Sequence, residues 1–97
     1  MEIFMGSRVT LELYSIVYER VGKKEIKYDA DTVEEVIKKF LAEYAAKLDD
    51  RILGESGDFR KWIQILLNGR GIKFLDGLKT KLKENDVIAI IPILGGG

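Results

Sequence analysis

The residues best suited to chemistry stand at one end of the sequence. Gly95, Gly96 and Gly97 carry no Cβ, so they can thread a passage too narrow for any other residue type, and only the main-chain carboxylate of Gly97 need reach the far side. Fully extended, the stretch from Ile93 through Leu94 to Gly97 covers roughly 17 Å. The competing reading is an idle, frayed end. Little else in the chain rivals it: without Cys there is no thiolate nucleophile or thiolate metal site, and without His the usual neutral-pH general base and commonest metal ligand are missing. Asp29, Asp31, Asp49, Asp50, Asp76 and Asp86 fall at turns or helix starts, where capping accounts for them. We therefore expect no catalytic residue within the chain and no bound metal or cofactor.

Two further motifs have plain structural readings. Asn68-Gly69-Arg70-Gly71 lacks the spacing and the Lys-Ser/Thr ending of a phosphate-cradling loop, and Asn-Gly suits the positive φ values of a tight hairpin turn. Lys79, Lys81 and Lys83 alternate as on a solvated edge, or as a basic ridge for an acidic partner. Lys plus Arg and Asp plus Glu are 16 each, so no net field draws the chain to nucleic acid or an anionic membrane. The longest apolar run, Val87 to Gly97, falls short of the roughly 20 residues that span a bilayer. A cytoplasmic protein is the expectation.

The elements that must position the tail follow from periodicity. With 97 residues the chain builds a single core, and we divide it into an extension at 1–7, a domain at 8–92 and a flexible tail at 93–97. Val9, Leu11 and Leu13 alternate with polar residues from Arg8 onward, and Ile26 and Tyr28 do so after Gly22, which predicts a hairpin of two strands. Val33, Val36, Ile37, Phe40, Leu41, Tyr44 and Leu48 recur at helical spacing, with Asp31 or Thr32 as cap and Glu34 or Glu35 completing a capping box. On its outer face Glu34–Lys38, Glu35–Lys39 and Glu43–Lys47 form i, i+4 pairs. The stretch 49–61 reads as a mobile or functional connection. Strands are expected over Trp62–Leu67, around Ile72–Phe74 and over Val87–Ile91, with pairing ending at Pro92, which has no N–H to donate.

One helix covers one face of such a sheet. The other face then carries Thr10, Glu12, Glu25 and Lys27 on one side and Tyr14, Leu66, Val87, Ala89 and Ile91 on the other. A half-apolar open face beside a free tail suits docking, and Tyr14, Leu66 and Ile91 are the expected partner interface. Ile93 and Leu94 would guide the tail, with Gly95 and Gly96 threading it.

Leu67-Asn68-Gly69-Arg70, Ile72-Lys73-Phe74-Leu75-Asp76-Gly77-Leu78, Leu82, Asn85-Asp86-Val87 and the ending Ile91-Pro92-Ile93-Leu94-Gly95-Gly96-Gly97 stand in an order and spacing that resembles the MoaD-like sulfur carriers, the small subunits of molybdopterin synthase within the ubiquitin-like β-grasp superfamily. The resemblance extends loosely over Arg8–Leu48. It implies an α+β, β-grasp fold, a mixed sheet of four to five strands with one main helix on one face. It also implies that an E1-like adenylating enzyme, using ATP and Mg²⁺, converts the Gly97 carboxylate to an acyl-adenylate. A sulfur donor enzyme would then leave a thiocarboxylate, whose sulfur the large subunit of molybdopterin synthase passes to a pterin precursor during molybdenum cofactor biosynthesis. On this reading the chain is a noncatalytic sulfur-carrier subunit. Two alternatives stand beside it: the same activated tail used to modify protein lysines or to supply sulfur for thiamine, tRNA or cysteine, and an interaction module whose glycines are idle.

Overall fold

Along Ser7–Leu13 the side chains of Val9, Leu11 and Leu13 are buried while those between them reach the other face, which makes this segment a half-buried strand, β1. The computed structural model describes residues 6–93. After β1 come helix α1 (Ser15–Val21), β2 (Glu25–Ala30), helix α2 (Val33–Tyr44), β3 (Ile63–Leu67), β4 (Arg70–Gly71) and β5 (Val87–Pro92), with short 3-10 turns at Ala45–Lys47, Ile72–Phe74 and Gly77–Lys79. The strands form one mixed sheet in the order β2-β1-β5-β3-β4. Only β1 and β5 run parallel, with Leu11 opposite Ile88. This is the β-grasp fold. Its core joins Val9, Leu11 and Leu13 to Ile88 and Ile90 in the sheet and to Val33, Val36 and Phe40 of α2.

The expected pairing of β1 with β2 is present, antiparallel from Ser7 with Ala30 to Glu12 with Glu25. It is not a simple hairpin, because α1 fills the connection. Val17 and Val21, one helical turn apart, are buried against the core, and Gly22 ends the helix at φ 85°, its N–H donating to the Tyr18 carbonyl at 2.8 Å. Strand β1 also begins at Ser7, inside the segment read as an extension. Gly6 approaches β2 so closely that a Cβ there would lie 2.9 Å from the Ala30 carbonyl carbon, and its φ of 99° also demands glycine.

Thr32 is the cap of α2, its Oγ1 accepting from the Glu35 N–H at 3.3 Å, and the Glu35 carboxylate accepts from the Asp31 N–H. The α-helix stops at Tyr44, and the 3-10 turn that follows delivers Leu48 to the core. None of the three expected i, i+4 pairs is an ion pair among the described residues. Glu43 instead accepts from the Tyr28 hydroxyl at 2.7 Å, and Lys39 donates to the Asp29 carbonyl, so both tie α2 to β2. Burial, then the bond to Glu43, holds the Tyr28 phenol well above its ordinary pKa.

The 49–61 connection is pinned at several points. Ile52 is fully buried, the Arg60 N–H donates to the Ile52 carbonyl at 2.9 Å, and Leu53 bridges Phe59. At its start the Asp49 carboxylate takes Arg20 of α1 at 2.9 Å and Arg51 at 3.0 Å. The hydrogen bond from the Arg51 guanidinium holds the Asp49 carboxyl below the usual carboxylate range.

Replacing Ile52→Ala should destabilise the fold by about 2–5 kcal/mol and open 49–61 to proteolysis, read by urea unfolding and limited digestion. A depressed carboxylate pKa contributes stability above its unfolded value and loses it as pH falls through the folded one. Asp49→Asn should therefore lower the urea midpoint at neutral pH, with the gap from wild type closing on acidification below the carboxylate range.

Candidate functional site

The tail leaves the sheet from β5, which lies between β1 and β3. Pro92 does not end the pairing: it is buried, sits opposite Ile63, and the next N–H, that of Ile93, donates to the Trp62 carbonyl at 2.7 Å. Successive N–H groups of a strand point to opposite sides. Since that of Ile93 faces β3, the missing donor of Pro92 faces the β1 side, where β1 has already ended at the Leu13–Ile90 pair. No ladder bond is lost there. Ile93 is thus tied into the sheet by its backbone while its side chain remains exposed. Leu94, Gly95, Gly96 and Gly97 lie outside the described residues.

The open face can be read from the register. One row runs Lys27, Thr10, Val87, and the next runs Glu25, Glu12, Ala89, Leu66, Gly71. Ile91 and Gln64 form the row nearest the tail, and Tyr14, two residues beyond Glu12, stands level with Ile91. The three expected interface residues therefore share one face: Leu66 and Ile91 are diagonal neighbours on adjacent strands, and Tyr14 lies beyond β1 on the same side. Leu66 and Ile91 are half-buried and Tyr14 is exposed. The Tyr14 hydroxyl donates to Glu12 Oε1 at 2.7 Å, a bond that chiefly accounts for the raised pKa of the phenol. Lys27 Nζ donates to Thr10 Oγ1 at 2.7 Å, so the polar side of this face is internally bonded.

Asn68 and Gly69 turn the chain at φ 50° and 87°, as a tight hairpin requires. The Asn68 amide donates to Asp86 Oδ1 at 2.9 Å and accepts from the Val87 N–H at 2.9 Å, fixing this turn to the start of β5. It leads into the two-residue strand β4 and a single 3-10 turn, not into an α-helix. An open hollow of about 500 Å³ is lined by residues 54–56 and 58–61, with none of Tyr14, Leu66 and Ile91 in its wall. Among the described residues no group of three or more Asp and Glu side chains is arranged to hold a metal, and no helix is long and apolar enough to cross a membrane.

Gln64 joins the row nearest the tail, on the face that the alternation of Ile63, Ile65 and Leu67 gives it. One residue of this surface escaped sequence reasoning. Phe74 belongs to a 3-10 turn rather than to the strand expected over Ile72–Phe74, and its ring is 73% exposed.

Residues 11–97 match the model of the ThiS family. Small archaeal modifier protein 3 of Haloferax volcanii is 33% identical, the alignment covering 90% of this chain and 96% of that protein. A protein named as a putative sulfur carrier protein, from Archaeoglobus fulgidus, is 32% identical over 78% of this chain and 85% of its own length. The solution structure of small archaeal modifier protein 1 from Methanosarcina acetivorans aligns with a TM-score of 0.80 at 30% identity, covering 94% of this chain and 97% of that one.

The face assignment has a direct check in thermal and urea unfolding. Ile91→Asp, on the open face, should cost about 1 kcal/mol, whereas Ile90→Asp, which buries an unpaired carboxylate in the core, should cost more than about 4 kcal/mol.

Proposed function

The chain belongs to the ThiS family, and from that premise we propose that it is a ubiquitin-like sulfur carrier whose working group is the Gly97 carboxylate. An E1-like adenylating enzyme binds the body, and the carboxylate attacks the α-phosphorus of ATP held there with Mg²⁺, forming the acyl-adenylate and releasing pyrophosphate. Hydrosulfide supplied by a sulfur donor then attacks the acyl carbon. AMP leaves with the bonding electrons, and the product is a C-terminal thiocarboxylate. Activation is needed because a bare carboxylate is too poor an electrophile to accept sulfur. The chain's own part is to present the tail and to bind; acid–base groups come from the partners.

The observation that carries this reading is the extent of the family match, which takes in both the sheet that roots the tail and Gly97 itself. The anchoring of Ile93 supports it physically. Ordering a backbone residue costs about 1–2 kcal/mol, and Ile93 has already met that cost on folding. Glycines add almost no apolar contact, so most of the binding falls to the patch of Tyr14, Leu66 and Ile91.

Molybdopterin synthesis, with the large subunit of molybdopterin synthase as acceptor, is one destination for such sulfur. The named relatives do not favour it over others. Two of them are called modifiers, which favours a second reading in which the adenylated Gly97 is transferred to a lysine amine, forming an isopeptide bond.

Incubation with an adenylating enzyme, ATP–Mg²⁺ and sulfide, followed by intact-mass measurement, tests the proposal. We expect one oxygen of the Gly97 carboxylate to be replaced by sulfur, deletion of Gly96 and Gly97 to abolish the change, and Ile91→Asp to slow it about tenfold or more. Attachment to lysine would favour the modifier reading, and no ATP-dependent change would overturn both.

A further inference from the structure

The apolar row on the open face does not end at the sheet. Ala89 leads across the strands to Leu66 and then to Gly71 at the outer edge. Phe74 lies over that glycine: a Cβ at Gly71 would be 3.4 Å from the Phe74 ring and 3.8 Å from the Leu66 side chain. The bare backbone at Gly71 is thus a seat that lets the ring continue the row begun by Leu66.

The 3-10 turn explains why the ring is outside. At three residues per turn, Ile72 and Leu75 fall on one side, and both pack against the core. Lys73 and Phe74 are left facing out, with the Lys73 ammonium 5.3 Å from the Phe74 ring centroid. Among the described residues Phe74 is the most exposed large hydrophobic side chain. A lone exposed Phe is unremarkable, but one that extends an apolar row running over β5, β3 and β4 marks a contact surface.

Charge indicates what covers it. Residues 60–93 hold seven Lys and Arg against three Asp and Glu, while the rest of the chain holds nine against thirteen, so overall neutrality conceals a basic segment that includes this edge. The three ion pairs among the described residues use Arg8, Arg20 and Arg51, and none draws on a cation of that segment. Arg70 and Lys73, on either side of the Gly71 seat in sequence, are both exposed.

Resting on the carrier reading, we propose that Phe74 is an anchor for the enzyme that adenylates Gly97, inserted into an apolar socket whose rim bears carboxylates that meet Arg70 and Lys73. Every use of the tail, whatever its destination, begins with adenylation, so this enzyme is the partner that the surface must serve.

The experiment measures steady-state pyrophosphate release by the adenylating enzyme, with ATP–Mg²⁺ and with sulfide to discharge the acyl-adenylate, as a function of carrier concentration. Phe74→Ala should raise KM about tenfold or more with kcat unchanged and with little dependence on salt, while Phe74→Leu restores part of the loss. Lys73→Glu should raise KM strongly at low ionic strength and much less at high salt. Circular dichroism and urea midpoints of Phe74→Ala should match wild type, since the ring is outside the core. An unchanged KM for Phe74→Ala while wild type releases pyrophosphate overturns the anchor and leaves the carrier reading standing. Absence of release with wild type overturns the carrier reading and this proposal with it. Sedimentation showing a wild-type dimer that Phe74→Ala dissociates would also overturn it, by making a second copy of this chain the occupant.

Discussion

The parallel pairing of β1 with β5 is the constraint on which the arrangement depends. Parallel neighbours cannot be joined by a tight turn, so everything between Leu13 and Val87 must leave the centre of the sheet and return to it. The chain makes α2 do most of the covering, and Phe40, Val33 and Val36 fill the space above β1 and β5. Because α1 and the 49–61 connection add Val17, Val21 and Ile52 to that same core, both helices and the long connection are spent on one side. Among the described residues the opposite face is left without a layer, and the last strand is placed in the interior of the sheet.

Much of this was legible in the residues. Period-2 alternation identified β1, β2 and β3, a short apolar run identified β5, the three-and-four spacing identified α2, and Asn68-Gly69 identified its hairpin, because each signal is local. The shared face of Tyr14, Leu66 and Ile91 followed from that alternation, whereas the β-grasp assignment came from the family resemblance. Helix α1 was hidden because Ile16-Val17-Tyr18 has strand-like propensity; tertiary burial of Val17 and Val21 overrides it. The turn at Ile72–Phe74 was hidden because Ile72 and Phe74, two apart, suit one face of a short strand, while Ile72 and Leu75, three apart, suit one side of a 3-10 turn. The anchoring of 49–61 depends on Ile52 reaching the core, a long-range contact with no local signature.

The ion pairs expected along α2 teach the same lesson from the other direction. Spacing correctly placed Glu35, Lys39 and Glu43 on or near its outer face, but each finds a backbone group or hydroxyl in or beside the neighbouring strand instead. A helical pair worth a few tenths of a kcal/mol yields easily to a tertiary partner that also satisfies a buried phenol. The candidate site shows a comparable contrast: its polar side is bonded within itself, through Tyr14 with Glu12 and Lys27 with Thr10, whereas among the described residues no helix packs on its apolar side.

Pro92 settles how the last rung of the sheet accounts for its polar groups. Strand β1 stops at Leu13, opposite Ile90, so β5 runs on past the end of its parallel neighbour. Pro92 lies in that overhang and is buried, and its ring stands where any other residue would leave a main-chain donor with no strand to accept it.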